Sequence, residues 1–235
     1  MITLYAVLLQ MIFASCVTPL HCVKGNGEVE ERTFDLEEFN SFIVSCSADV
    51  EITQGDKQQV VIMGESNILD MFNANVKNGS WNIDTDKCYS TNKGLKVMIT
   101  MHDLERIKIN GSGDVRSIGS MSTKDLSIEI NGSGDVSLEL DSEELQAEID
   151  GSGDVTLSGE CHSMDVDVNG SGDVKAYDLI TGDCDVNVNG SGDTKLNVSG
   201  HMTVNINGSG DVHYKGKPKS LEVDANGSGD VLDAN

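Results

Sequence analysis

The chain has 235 residues, of which 23% are charged and 4% are aromatic. Its formal net charge of -23 excludes nucleic acid and anionic membrane surfaces as partners, because both are polyanions. The regular recurrence of Val, Ile and Leu excludes a disordered chain, and the length permits one domain or two.

The first segment, residues 1–22, opens with the apolar and uncharged run MITLYAVLLQMIFASC. The run is shorter than a membrane-spanning helix and ends in small residues, which is typical of an export signal, although no basic residue precedes Lys24. FASC also matches a bacterial lipoprotein processing site, in which Cys16 would carry the lipid. We therefore predict export to the cell envelope, the outer surface or the medium, with membrane anchoring only through a lipid on Cys16.

Residues 23–105 are strand-rich but lack a clean repeat, and they are predicted to form an N-terminal cap with the first irregular coils. Ser66–Phe72 predicts one short helix, with Ser66 as its N-cap. Asn78-Gly79 predicts a tight hairpin turn. The sequence SADV at residues 47–50 is a degenerate copy of a turn that recurs later in the chain.

Residues 106–235 repeat the sequence NGSGDV, with small variations, seven times and continue directly from the preceding part. A fixed period near twenty residues is typical of stacked supersecondary units. Between the turns apolar and polar residues alternate, which predicts strands with one buried face. The turn aspartates, 18 to 21 residues apart, are Asp114, Asp135, Asp154, Asp173, Asp193, Asp211 and Asp230.

Aligning the repeats places apolar residues at equivalent positions of successive units. One such column is Leu126, Leu145, Met164, Cys184, Met202 and Leu221, and the next is Ile128, Ala147, Val166, Val186, Val204 and Val223. Columns of this kind predict an all-β fold, a right-handed parallel β-helix with two sheets and coils of about 19 residues joined at GSGD turns. In each turn the two glycines are expected to adopt positive φ, and Asn and Asp to brace the turn's own backbone.

Two chemical roles for the repeated aspartate compete with that of a brace. The seven aspartates could form a calcium column, and DVDVNGSGDV at residues 165–174 resembles the start of an EF-hand loop. However, the bidentate Glu expected at the twelfth position is replaced by Ala176. Stacked carboxylates also match the separation in retaining glycosidases, but any column of acids gives that distance. We therefore predict no catalytic, cofactor or metal site.

The cysteines form no C-x-x-C pair and show no regular spacing, which argues against a zinc site. An exported protein could pair some of them, and the sequence leaves open which.

Two features together carry a family resemblance: the opening GNGEVEERTFDLEEFNSFIVSCSADVEITQGD and the serial NGSGDV turns. Because of these two features, nearly the whole chain from Gly25 to Asn235 resembles the bacterial "putative auto-transporter adhesin, head GIN domain" family. The resemblance implies a right-handed β-helix similar in shape to pectin-lyase-like proteins but without their catalytic residues. It also implies adhesion at the cell envelope.

The favoured hypothesis is a non-enzymatic surface solenoid that binds a surface protein or glycan. The alternatives are a polysaccharide-acting enzyme on a β-helix scaffold and a calcium-stabilised structural module. The GSGDVLDAN stretch shows no obvious cap after the last repeat, so we also expect end-to-end or side-by-side homo-oligomers.

Overall fold

The computed structural model describes residues 22–235, and within that range it has nineteen strands and one short helix. Cys16 and the export-signal prediction, apart from Cys22, lie outside the described residues. None of the described helices is long and apolar enough to span a membrane.

The N-terminal part is built mainly from short strands. Its elements are β1 Val23–Lys24, β2 Val29–Phe34, β3 Ser41–Val44, β4 Asp49–Gln54, β5 Gln59–Glu65, α1 Ser66–Leu69, β6 Val76–Lys77, β7 Ser80–Ile83, β8 Tyr89–Ser90, β9 Lys96–Met101 and β10 Arg106–Ile109. The helix starts at Ser66 as a helical residue and not as a cap, because Glu65 holds the N-cap position without a side-chain bond. The predicted hairpin is confirmed: β6 and β7 are antiparallel, and Asn78 and Gly79 both have positive φ.

The repeat region is a parallel ladder of longer strands. They are β11 Val115–Ile130, β12 Val136–Ile149, β13 Val155–Val168, β14 Val174–Val188, β15 Thr194–Val198, β16 His201–Ile206, β17 Val212–Gly216, β18 Ser220–Ala225 and β19 Val231–Asp233. Within each strand from β11 to β14 the alternation of buried and exposed residues is interrupted, as at Glu143-Glu144 of β12, so each strand turns a corner and serves two faces of the solenoid. The prediction of an all-β solenoid with stacked parallel coils is confirmed.

The interior of the solenoid consists of the apolar columns that the sequence predicted. Leu126 pairs in register with Leu145, Leu145 with Met164, and Met164 with Cys184. The column continues through Met202 to Leu221. These side chains are at most 3% exposed up to Met202, because the coil on either side covers each of them.

The order of coils at the N-terminal end differs from the order along the chain. The strands β3 and β4 form a coil that lies between the coil of β7 and β9 and the coil of β10 and β11. The degenerate turn at residues 47–50 thus stacks directly on the first regular turn: the Val50 N–H donates to the Asp114 carbonyl oxygen at 2.7 Å. Among the described residues there is one disulfide, Cys22–Cys88, and it joins the residues that directly precede the two paired strands β1 and β8.

Candidate functional site

The seven turn aspartates lie along one corner of the solenoid, one in each coil. In each pair of neighbouring coils, Oδ1 of one aspartate accepts a hydrogen bond from the backbone N–H of the next; Asp173, for example, donates to Asp154. The six N···O distances lie between 2.8 and 2.9 Å. The carboxylate therefore braces one coil against the next, whereas the sequence predicted bonds within its own turn.

The turn glycines are needed for close approach and not for positive φ. The prediction of positive φ was wrong, because no glycine of the seven GSGD turns has it. Instead, a Cβ at Gly172 would lie 2.0 Å from the carbonyl oxygen of Gly153 in the neighbouring coil, and the other turn glycines from Gly132 onward meet the same obstacle. Only glycine lets the backbones of adjacent corners hydrogen-bond at this separation.

The charge of the column is partly balanced at one place. The Lys175 ammonium lies 2.5 Å from Oδ2 of Asp154 and 3.9 Å from Asp173. Burial by itself would raise the pKa of Asp154, but the N–H of Asp173 and the ammonium of Lys175 lower it. Among residues 22–235 no three His, Cys, Asp or Glu side chains are placed to hold a metal ion. A calcium-stabilised module remains a hypothesis, and an equal melting midpoint in calcium and in EDTA would contradict it.

A long open groove of about 1240 Å³ runs along the corner at which β11, β12 and β13 bend. At its N-terminal end it is bounded by Asn40 and Ser41 and by the Asn78-Gly79 turn, whose Gly79 carbonyl accepts from both Asn40 and Ser41. The inward side chains of Leu104, Leu126 and Leu145 are buried beneath its floor. The groove is therefore a polar channel parallel to the solenoid axis, and successive coils along it are about 4.8 Å apart. We call it the axial groove.

The charges in this groove are mostly negative. Its acidic side chains are Asp103, Glu105, Asp125, Glu143, Glu144 and Asp165, against the two basic residues Arg106 and Lys124. Arg106 forms an ion pair with Glu129 of the next coil, at 3.4 Å. Burial, with the adjacent carboxylates of Asp185, Asp167 and Glu144, raises the pKa of Asp165. With six acidic side chains against two basic ones, the groove favours positive over negative ligand groups.

The sequence predicted no site here because the lining residues do not repeat. The outward positions Ser127, Gln146 and Asp165 stack in register yet differ chemically, and the hairpin at one end comes from a distant part of the chain. Alternation signals that a residue points outward, but it does not reveal that two faces meet in a groove.

The cysteines show no sign of a reactive site within the described residues. Cys184 lies in its predicted inward column, and burial raises the pKa of its thiol. Burial also raises the pKa of Cys161 to about 11, and this thiol donates to the Ser163 carbonyl. Cys46 borders a smaller cavity of about 340 Å³, and burial raises the pKa of its thiol as well. A raised pKa lowers the thiolate population and with it the nucleophilicity of these groups.

The chain belongs to the "putative auto-transporter adhesin, head GIN domain" family, whose model matches residues 38–218. The predicted resemblance is thereby confirmed. No curated protein matches the chain.

Several solved structures share the fold. A "putative adhesin" from Bacteroides fragilis NCTC 9343 has a TM-score of 0.85 at 26% identity and covers 89% of this chain and 99% of its own. A "putative lipid binding protein" from Parabacteroides distasonis ATCC 8503 has a TM-score of 0.73 at 22% identity, over 91% of this chain and 99% of its own. A "putative adhesin" from Parabacteroides merdae ATCC 43184 has a TM-score of 0.66 at 18% identity, over 91% and 99%. The last two likenesses concern the fold alone.

Proposed function

We propose that the chain is an exported, non-enzymatic adhesin of the cell envelope, and that it holds an extended ligand in the axial groove. The family and the similar structure from Bacteroides fragilis support adhesion as the general role. The axial groove supports the more specific role of holding an extended ligand. A channel parallel to the solenoid axis offers polar side chains on successive coils to a ligand that runs in the same direction.

The observation that carries this proposal is the uncompensated negative charge of the groove. Among the described residues, Glu105, Glu143, Glu144 and Asp165 form no ion pair. The backbone N–H and C=O groups of the coils beneath are taken up by the parallel ladder, so recognition falls to these side chains. A surface glycan or protein segment that carries amino groups fits this lining, whereas a polyanion is repelled.

None of the described residues that line the groove is aromatic, so sugar rings cannot stack on them, and hydrogen bonds and charge must select the ligand. The lining found within residues 22–235 also contains no histidine that could serve as a general base near neutral pH. Neighbouring carboxylates alone do not support an enzyme, because in-register stacking places acids about 4.8 Å apart anywhere on this solenoid.

The proposal is tested with an array of neutral, anionic and amino-group-bearing glycans and with a set of basic and acidic peptides. We expect binding to amino-group-bearing ligands, and we expect Glu144→Lys and Asp165→Lys to weaken it at least tenfold. The matched control is Glu139→Lys, an exposed position on another face that does not line the groove.

Two results would reject this function. Equal binding by Glu144→Lys and by the Glu139→Lys control would remove the groove from recognition. Hydrolysis or lyase turnover of a polysaccharide that disappears on substitution of a single groove carboxylate would show an enzyme instead.

A further inference from the structure

The last coil of the described solenoid exposes apolar side chains that every earlier coil buries. In the inward columns Leu221 is 37% and Val223 is 48% exposed, whereas their in-register neighbours Met202 and Val204 are at most 1% exposed. The strand alternation is unchanged on β18, so this exposure arises because no further coil covers Leu221 and Val223 in the described structure. Leu232, on β19, is 41% exposed for a different reason, since it stacks in register on the outward-facing His213 and lies on the side of the coil.

The same coil presents an unpaired backbone edge. β18 pairs with β16 and β19 with β17, each on one side only. In a parallel ladder alternate residues direct their N–H groups to opposite sides. The Asn226 N–H bonds to the Ile206 carbonyl of the preceding coil, so by alternation Leu221, Val223 and Ala225 direct theirs to the open edge. An edge of this kind is a template for an added strand.

The opposite end of the solenoid does not present a parallel coil. Its terminal coil consists of β7 and β9, and each has partners on both sides: β7 pairs with β3 and β6, and β9 pairs with β4 and β5. The open edges at that end belong to β2, which pairs antiparallel with β5, and to the two-residue strand β6. Another C-terminal coil instead offers an edge that matches this one, and pairing the two gives a closed, twofold contact.

The charges at this end favour an antiparallel arrangement of two copies. Lys217 and Lys219 precede β18, while Asp224 and Asp230 lie at and beyond its other end, and among the described residues none of the four forms an ion pair. When two β18 strands run antiparallel, the basic start of each lies beside the acidic end of the other. A parallel arrangement would place like charges together.

We propose that the C-terminal coil is an interface with a second copy of this chain, in which two solenoids meet end to end about a twofold axis with their β18 strands antiparallel. The contact covers Leu221 and Val223 and pairs the open edge. It also leaves both axial grooves free, at corners remote from the contact, so the dimer would present two ligand sites.

The test is light scattering and sedimentation of the full chain over a range of concentrations. We expect a concentration-dependent dimer that Val223→Pro abolishes, because proline removes an edge N–H that the chain itself does not use. The matched control Val223→Thr keeps the shape and the N–H and should still dimerise. Circular dichroism shows whether each variant is folded.

A charge exchange tests the antiparallel geometry without altering the strand. Lys219→Glu and Asp224→Lys should each weaken the dimer about tenfold, since each reverses two symmetry-related contacts. The double variant keeps the net charge and should recover wild-type affinity. Lys124→Glu, in the groove, controls for net charge. A monomer at high concentration, a dimer that survives Val223→Pro, an open series of larger oligomers, or a double variant without recovery would each overturn the proposal.

Discussion

Replacing one turn glycine by alanine isolates the reason for the GSGD sequence. At Gly172 a Cβ would lie 2.0 Å from the Gly153 carbonyl oxygen and 2.8 Å from its carbon, whereas real contacts stay beyond 3.0 Å. The two corners must therefore separate by about 1 Å. That shift stretches the 2.8 Å bond from the Asp173 N–H to Asp154 and the 3.0 Å bond from the Ser171 N–H to Gly151 beyond bonding range.

The expected loss of stability in Gly172→Ala has two sources, the steric overlap of the added Cβ and the two stretched hydrogen bonds. Overpacking costs roughly 1–3 kcal/mol, and two weakened hydrogen bonds add about 2 kcal/mol, for a total of about 3–5 kcal/mol. The matched control is Gly119→Ala, where φ is +81° but nothing lies within 4 Å of the added Cβ. Its cost is confined to the backbone conformation, about 1–2 kcal/mol.

Urea unfolding followed by circular dichroism measures both variants under the same conditions. Comparing midpoints at equal slope guards against a change in cooperativity, which solenoids can show. If Gly172→Ala were no more destabilising than Gly119→Ala, close approach would not be the reason for the turn glycines, and backbone conformation would have to be reconsidered.

Three further variants test separate contacts. Asp154→Asn should destabilise the fold at pH values above the ordinary carboxyl pKa of 3.8. The difference in stability from the wild type should vanish as pH falls through the lowered pKa of folded Asp154, because protonation removes the charge that the Asp173 N–H stabilises. Melting measured over a range of pH tests this. Thr194→Val should stabilise by about 1 kcal/mol in urea unfolding, since the Thr194 hydroxyl is buried without a partner in the described structure. Replacing both Cys22 and Cys88 by serine removes a disulfide that closes a 66-residue separation, and should lower the free energy of unfolding by about 4 kcal/mol. Adding a reductant should not change the melting of this variant, because its disulfide is already absent.

The parts of the fold that repeat were predictable, and the parts that do not were not. Period and alternation were sufficient to place Met164 and Cys184 in one inward column and the seven aspartates on one corner. The insertion of the β3–β4 coil beneath the regular repeats was not predicted, because alternating apolar residues specify a buried face and not the identity of the neighbouring coil. The partner of Cys22 depends on the same long-range arrangement.

The turn glycines show a different limit of sequence analysis. Glycine permits positive φ and also permits close backbone approach, and a glycine in the sequence does not indicate which of these two properties the structure uses. Elsewhere in the chain the first property is used, as at Gly79 in the hairpin. In the GSGD turns the second is used, and only the stacking of Gly172 on Gly153 reveals it.

A column of seven like charges raises the question of how the repeated aspartate can stabilise the solenoid. Carboxylates on adjacent coils about 4.8 Å apart repel by about 0.9 kcal/mol in a fully aqueous dielectric and by about 3.5 kcal/mol at an effective dielectric of 20. A hydrogen bond to a charged group contributes about 1.5–3 kcal/mol. The brace is therefore favourable only where water reaches the carboxylates. Asp114, Asp135 and Asp230 are exposed and the other four are half-buried, so none of the seven is fully removed from water.

Salt should consequently stabilise this protein. At about 1 M ionic strength the screening length falls to about 3 Å, below the spacing of the coils, so the repulsion weakens while the short hydrogen bonds persist. We expect the melting temperature to rise with NaCl, and to rise less in Asp193→Asn, which removes one charge between Asp173 and Asp211 but keeps an oxygen that accepts the Asp211 N–H. The exposed Asp178→Asn, outside the column, is the control for net charge. An identical salt response in the two variants would mean that the repulsion lies in the general acidic surface, and that the aspartate column costs the fold little.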